Sequence, residues 1–363
     1  MHIKINDLKR FCVIMLETVG VKGIDAATTA DALTTADAWG IFTHGTKLLA
    51  GYLPRLRAGG WNAKGKPRVD REGPAWSIVD GDHALGQVGG VFAMRRAMAI
   101  ARNSGLAYVG LKNTGHIGAA GYFASLAAGE GMIGVAMGND IPSVAAPNSR
   151  GAVLGSNPIA YAIPAGERDP ILLDMATAAV AGGKVYAAWQ RGEPIPPTWI
   201  VGPDGKPTTD GSLYPAHASL APMAGHKGFG LGLLVETLAG LLTCGAVTWR
   251  VGSWLFDDPA LPTRHNAAFL AIDVATIAPH DEFSARVAAL IDEIHETPKA
   301  EGAERIFVPG EMEWERRRKA IAEGIDLPPD VRDKLKSIVK DLQLSDSWIN
   351  EIVVDYFSNR NQL

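Results

Sequence analysis

Ala107-Tyr-Val-Gly-Leu-Lys-Asn113-Thr-Gly-His116-Ile-Gly118, continued by Ala119 to Ala128 and by Met132 to Met137, is the stretch on which the fold turns. Its first five residues read as a buried strand. The glycine-punctuated middle reads as a tight turn, the alanine-rich part as a helix, and Met132 to Met137 as a second apolar strand. Strand, turn, helix and strand in that order make an α/β unit. A doubly wound dinucleotide fold would carry G-x-G-x-x-G between an early strand and its helix, because the backbone must approach a pyrophosphate there. No such fingerprint occurs.

On the N-terminal side, Ser77 to Asp82 reads as a strand closing on an Asp80-Gly81 turn, and Val91 to Arg102 as a helix. The first 72 residues read as helical. Ile5, Leu8, Phe11, Cys12, Met15 and Val19 recur at helical spacing, a second helix runs from Thr28 to Trp39, and a third from Thr46 to Ala58. The short segment Ile41-Phe-Thr-His-Gly45 separates the last two, the kind of loop that presents polar groups from a rigid scaffold.

On the C-terminal side, Pro158 to Pro164 and Ile171 to Leu173 read as strands, and Gln190 to Pro222 as a long ordered loop. Phe229 to Val247 is the longest apolar run, with Glu236 near its centre. A charge there favours a buried helix over a membrane span. Ala267 to Asp273 reads as a strand; Asp281 to His295, Glu313 to Ala322 and Asp330 to Leu342 read as helices. The predicted class is α/β, with helical segments from both ends packed beside the centre.

Composition bounds the function. Of 363 residues, 47% are hydrophobic and 20% charged, which excludes a disordered chain. A net charge of −4 supplies no basic field for nucleic acid. Cys12 and Cys244 make no disulfide framework and suit a reducing compartment, so a cytoplasmic protein is expected. No signal peptide is read at the N-terminus.

Nine histidines are present. His83, His217, His265, His280 and His295 stand in polar or loop contexts and read as surface residues. His44, His116 and His226 are flanked by glycine and followed by a helix. Glycine allows close backbone approach, and a helix start offers N–H groups to an anion. Histidine is the natural proton carrier near neutral pH. Thr43 could position a proton for His44, and Lys47, one turn on, could hold a carboxylate. Lys227-Gly228 at a helix start could grip a pyrophosphate. A rival reading assembles His44, His116 and His226 as a metal site of a hydrolase or lyase, but the spacing lacks an H-E-x-x-H pattern. No G-x-S-x-G elbow and no G-x-x-x-x-G-K-[ST] loop is present. A dinucleotide-binding sensor without turnover is the third reading.

Taken together, Thr43-His-Gly-Thr, Asn113-Thr-Gly-His-Ile-Gly, Leu154-Gly-Ser-Asn-Pro-Ile-Ala, Leu173-Asp-Met-Ala-Thr with Gly183-Lys184, Asp204-Gly-Lys-Pro-Thr-Thr-Asp, Gly225-His-Lys-Gly-Phe-Gly-Leu and Val308-Pro-Gly-Glu resemble, in order, the malate/L-lactate dehydrogenase-like oxidoreductases. That family includes ureidoglycolate and sulfolactate dehydrogenases, diketogulonate reductase and Δ1-piperideine-2-carboxylate reductase. The resemblance implies a non-Rossmann fold with a central mixed sheet. It implies hydride transfer between NAD or NADP and a small 2-hydroxy or 2-oxo acid, or alternatively a cyclic 2-imino acid. It implies His116 or His44 as proton carrier, with Thr43 beside the latter. Cofactor contacts are implied at Asp140, at Asp174-Met175-Ala176, at Lys227-Gly228 and at Gly310-Glu311, with no metal. It further implies a homodimer. The layout along the chain leads to an expected division into 1–72 with 291–363 for substrate and oligomerisation, and 73–290 for cofactor. Three positions depart from the pattern. Thr43 stands where serine is common, and Asn139-Asp140 where a Thr-Asn type of pair is usual. Leu48 stands where an arginine often binds the substrate carboxylate, so Lys47, and after it Arg55, are the nearest cations.

Overall fold

The structure is a computed structural model that describes residues 2–342. Three helices open the chain: α1 (Ile5–Thr18), α2 (Ile24–Ala38) and α3 (Leu49–Ala58), the last preceded by a 3-10 turn at Thr46–Leu48. Gly59 ends α3 in the left-handed conformation, φ +86°. A strand that the helical reading passes over, β1 (Arg68–Gly73), follows, then β2 (Trp76–Asp80), α4 (Gly86–Ser104), β3 (Leu106–Thr114), α5 (Ala120–Ala128) and β4 (Met132–Gly138). Two short strands, β5 (Val144–Ala145) and β6 (Ala152–Leu154), lead into β7 (Ile159–Ala165) and β8 (Arg168–Met175). After α6 (Gly182–Gln190) the long predicted loop contains three two-residue strands, β9 (Ile200–Val201), β10 (Pro207–Thr208) and β11 (Ser219–Leu220). Then come α7 (His226–Glu236), β12 (His265–Asp273), α8 (Val274–Ile277), α9 (His280–Glu296), α10 (Glu311–Glu323) and α11 (Pro329–Asp341).

The main sheet has the order β1-β2-β3-β12-β4-β7-β8. Only β2 and β3 run parallel, joined through α4; every other neighbouring pair is antiparallel. It is a mixed sheet and not a doubly wound one. β12 lies between β3 and β4, and Ala267, Ala268, Phe269 and Ala271 are fully buried. The small side chains on β12 let layers close on both faces. On one side, Ala267, Phe269 and Ala271 join the cluster that holds Met94 and Phe123 of α4 and α5. On the other, Ala268 meets Val235 of α7 and Ala239.

The apolar run after Phe229 is one helix only as far as Glu236; a π-turn, Thr237–Leu241, continues it. Glu236 is buried and accepts hydrogen bonds from the Thr248 N–H (2.8 Å) and the Asn157 Nδ2 (2.8 Å). Those bonds offset its desolvation. Among the described residues no helix is long and apolar enough to cross a membrane. The small sheet, β10-β9-β11-β5-β6, packs with α6 around Val185, Ile195 and Ile200.

Leu8, Phe11 and Met15 of α1 share one core with Tyr52 and Leu53 of α3 and with Val331, Leu335 and Ile338 of α11. A bridge between Ile3 and Ile325 ties the N-terminus to the segment between α10 and α11. We propose two lobes on this basis, the helices of 1–72 with those of the C-terminal region, and the sheet body from 73. The α9 helix, which contains position 291, packs on β7 and places Val287 and Ile291 against Ile171 of β8. Residues 343–363, including the tail from 345 read in the sequence, lie outside the described residues.

Candidate active site

His116 stands in the loop between β3 and α5. Gly118 follows with φ +76°, and a side chain on Gly86, the first residue of α4, would lie 2.3 Å from the His116 carbonyl oxygen. The glycines therefore let α4 press directly on the histidine's backbone. The Tyr52 hydroxyl of α3 meets His116 Nδ1 at 2.8 Å and can also donate to the His116 carbonyl at 3.4 Å. Gln87 Nε2 donates to Tyr52 Oη (3.4 Å) and to the Ile117 carbonyl (3.1 Å). Trp254 stacks on the imidazole with ring centroids 4.8 Å apart.

His44 reaches the same place from the loop between α2 and the Thr46–Leu48 turn. Its ring is 6.0 Å from that of His116, inclined by 27°. The Thr43 hydroxyl lies 3.0 Å from His44 Nδ1. Asp37 of α2 holds the loop from beneath, accepting from the Thr46 N–H (3.0 Å) and hydroxyl (2.6 Å). Burial pushes Asp37 up to about 7, with the Thr46 bonds and the Lys47 charge pulling it back.

The sequence reading of His265 as a surface residue is corrected by the structure. It is 1% exposed, at the first position of β12, with its ring 5.9 Å from His116. Its Nε2 meets Asp140 Oδ1 at 2.9 Å and its Nδ1 meets Thr263 Oγ1 at 2.9 Å. Burial alone would raise Asp140, but the His265 hydrogen bond and charge, with help from His116, hold it below the usual carboxylate range. Burial drives His116 down to about 3 against the opposing charge of Asp140, and lowers His44 as well. Burial also keeps Tyr52 protonated far above its ordinary range. The resting site is thus a neutral imidazole beside an ionised carboxylate.

This fixes a pH dependence. Between pH 6.5 and about 3 the unfolded chain binds a proton that folded His116 refuses, so stability falls as pH drops through that window. At pH 5 the loss is about 2 kcal/mol. Urea midpoints at pH 7.5 and 5 are expected to show that extra loss in the wild type and not in His116→Asn. Equal losses in both proteins would contradict it.

Lys47 is half-buried and paired, its Nζ 3.0 Å from Asp330 Oδ2 of α11. Arg55 is buried and donates to five backbone carbonyls, those of Ser253, Trp254, Asp257, Asp258 and Leu261. It clamps the loop that carries Trp254, and it is no substrate cation.

Of the residues implied for a cofactor, Asp140 lies beside His116, and the others form two groups. Asp174, at the end of β8, accepts from the Gly121 N–H at the start of α5 (2.7 Å), and burial pushes it up to about 6. Met175 and Ala176 follow, half-buried. Thr177 then bonds through its carbonyl to Met223, whose carbonyl accepts from the Gly228 N–H. Lys227 is exposed at that helix start, and a side chain on Gly228 would lie 2.0 Å from the Met223 carbonyl. Gly225 and Gly230 border open space. A helix start with an exposed cation and open space at Gly225 and Gly230 fits a pyrophosphate. Gly310, φ +97°, presses on the backbone of Leu172 in β8. The Glu311 side chain turns the other way, to His295 Nε2 (2.9 Å) and the Val308 N–H. His226 is exposed at the start of α7, and no group of three His, Cys, Asp or Glu among the described residues is placed to hold a metal ion.

Tyr52, Gln87, Trp254, Thr263 and His265 are members of the site that the sequence reading does not single out. His265 has no flanking glycine and opens a strand, so nothing local distinguishes it.

A mixed sheet beside a cluster of helices, with His44, His116 and His265 converging next to Asp140, fits a dehydrogenase built without the Rossmann turn. The sequence model described as malate/L-lactate dehydrogenase matches residues 3–336, and the chain belongs to that family. Malate dehydrogenase of Pyrococcus abyssi is 36% identical over 92% of this chain and 93% of its own length. The ureidoglycolate dehydrogenase (NAD(+)) of Escherichia coli K12 is 36% identical over 88% of this chain and 90% of its own. The solved structure of sulfolactate dehydrogenase from Methanocaldococcus jannaschii superposes with a TM-score of 0.87 at 34% identity, covering 95% of this chain and 98% of that one. The protein is a nicotinamide-dependent oxidoreductase acting on the CH–OH group of a small 2-hydroxy acid.

Proposed function

We propose that His116 is the proton carrier of this reaction, and that the cofactor is NAD rather than NADP, as in the E. coli relative. The observation that carries this reading is the contact of His116 with Tyr52 on one side and the Asp140–His265 pair on the other. Bound nicotinamide supplies the hydride acceptor or donor. Asp174 to Ala176, the Lys227-Gly228 helix start and the Gly310-Glu311 turn would hold it.

The proton side follows from hydrogen-bond direction. When the Tyr52 hydroxyl donates to the His116 carbonyl, its oxygen is free to accept from His116 Nδ1–H. The Nε2 lone pair is then open to take the proton of the substrate hydroxyl. When the tyrosine donates to Nδ1 instead, Nε2 keeps its hydrogen. The imidazolium formed on taking the proton is stabilised by the Asp140 charge, and in the reverse direction it returns the proton to the oxygen at C2. His44, its Nδ1 beside Thr43, is offered as the second donor to that oxygen.

We propose Lys47 as the substrate-carboxylate anchor, in exchange with Asp330. Lys47→Ala is expected to raise KM for the acid about tenfold with kcat little changed, as for the loss of binding shared by ground and transition states. Asp330→Asn is expected to lower KM. Unchanged KM in both variants would remove Lys47 from the site.

A homodimer fits the face that runs from α7 to residue 261. Leu233, Leu234, Leu241, Leu242 and Trp249 are exposed there, and Phe256 is 79% exposed. Apolar surface of this extent is uncommon on a monomer. Leu241→Glu with Phe256→Glu is expected to halve the mass seen by light scattering; a wild-type monomer would refute the dimer. Free Cys12 and Cys244 favour the cytoplasm.

The deciding assay is a panel of small 2-oxo acids, 2-hydroxy acids and cyclic imines with NADH, NADPH and NAD, followed at the nicotinamide absorbance. Turnover with a 2-oxo acid and NADH is the expected result. Turnover of cyclic imines alone would replace the hydroxy-acid reading, and no turnover with any pair would refute the proposal.

A further inference from the structure

We propose that His265 is a positioning residue for this reaction, the third member of a one-way hydrogen-bond chain, Trp61 to Thr263 to His265 to Asp140, that fixes the carboxylate facing His116. The inference rests on the His116 reading above.

The direction of the chain follows from its first link. The indole Nε1 of Trp61 can only donate, and it does so to Thr263 Oγ1 at 2.9 Å. The threonine oxygen is thereby an acceptor, and its own hydrogen needs an acceptor in turn. The partner within reach is His265 Nδ1, at 2.9 Å. An imidazole that accepts at Nδ1 carries its hydrogen on Nε2, and that atom is 2.9 Å from Asp140 Oδ1. Every polar hydrogen in the chain then has an acceptor. The opposite tautomer would set two N–H donors on the threonine and leave the carboxylate facing a bare nitrogen. Trp61, Thr263 and His265 are all buried, so such a mismatch would be unrelieved by water.

The same Asp140 oxygen accepts from the Ile141 N–H at 2.8 Å. Two donors on Oδ1 fix the plane of the carboxylate and leave Oδ2 without a partner among the described residues. The groups that face this assembly are few. His116 lies across the ring contact, with His44 and Tyr52 behind it, and Tyr214 feels the Asp140 charge. Among the described residues, the charged groups that act on Asp140 and His116 are one another, His265 and His44. The stabilising charge for protonated His116 therefore depends on Asp140 remaining ionised and oriented, and His265 supplies the donor that does both.

Three variants separate positioning from packing. His265→Phe keeps the bulk and removes both ring nitrogens. It is expected to lower kcat roughly 10- to 100-fold, as for loss of an orienting partner, and to move the acid limb of the kcat profile, with KM for cofactor little changed. His265→Gln places an amide donor near the Nε2 position and is expected to recover most of kcat and the wild-type limb. His265→Asn restores only the contact with Thr263 and is expected to resemble His265→Phe. In the wild type, nitrogen-15 correlation spectra of labelled histidine are expected to show His265 as the Nε2–H tautomer. Thr263→Val should redistribute the tautomers, and it gives a readout if His265→Phe does not fold. A wild-type Nδ1–H tautomer, unchanged kcat and pH limb in His265→Phe, or rescue by Asn and not by Gln would overturn the proposal. Wild-type turnover in His116→Ala would instead overturn the reading on which it rests.

Discussion

His116→Ala is expected to lower kcat by about 10²–10⁴-fold, the usual contribution of a positioned proton carrier, with nucleotide affinity close to wild type. The side chain has neighbours on several sides but no substitute. His44 stands 6.0 Å away in a stacked arrangement, with Nδ1 engaged by Thr43, and Tyr52 is held too strongly protonated to act as a base. Near-normal turnover in both His116→Ala and His44→Ala would remove both imidazoles from the chemistry. Partial recovery with free imidazole would locate the loss in proton transfer and not in structure.

Gly86→Ala is the second large effect, and it acts without touching any reacting group. The added carbon would lie 2.3 Å from the His116 carbonyl oxygen, 2.5 Å from the carbonyl carbon and 2.6 Å from the Gly115 oxygen. All three are backbone atoms, so no side chain can swing aside. Helix propensity would favour alanine by up to about 1 kcal/mol, but overpacking of this kind costs roughly 1–3 kcal/mol. The relief is a shift of the His116 loop, and a displacement near 1 Å at a reacting group can cost about 10²-fold in rate. We expect a lowered melting temperature and a kcat loss of that order. Gly183→Ala, which meets nothing within 4 Å on α6, is the control and should leave both quantities unchanged. A stable, fully active Gly86→Ala would show that the loop is not held from α4.

Much of this was legible in the residues. The glycines around His44 and His116 mark turns that a side chain would obstruct, and those two rings do converge. Periodicity placed α1, α4, α5 and most strands, because each buries one regular face. What it could not give was order across the sheet. Nothing in Ala267 to Asp273 says that it pairs with β3 on one side and β4 on the other, since pairing is a long-range choice. Arg55 looked like a free cation because a helix pattern does not show which carbonyls a guanidinium will find. His265 looked like surface because its partners, Thr263, Asp140 and His116, meet it only when the sheet is complete. The Lys227 helix start is legible from glycine and charge, whereas the pairing of Lys47 with Asp330 joins residues far apart along the chain.

The place of β12 in the sheet also bears on how the protein is made. During synthesis β3 and β4 emerge early, yet the strand that joins them is translated only after the whole of β7, β8 and the small sheet. For on the order of ten seconds at ordinary elongation rates a nascent chain carries two apolar strands with open edges, the kind of surface that invites association with other chains. Holding factors on the ribosome should therefore govern the yield of this enzyme more than its final stability does. Chains halted before residue 265 should pellet, whereas full-length chains, in which β12 is seated and α9 to α11 cover their cores, should stay in solution.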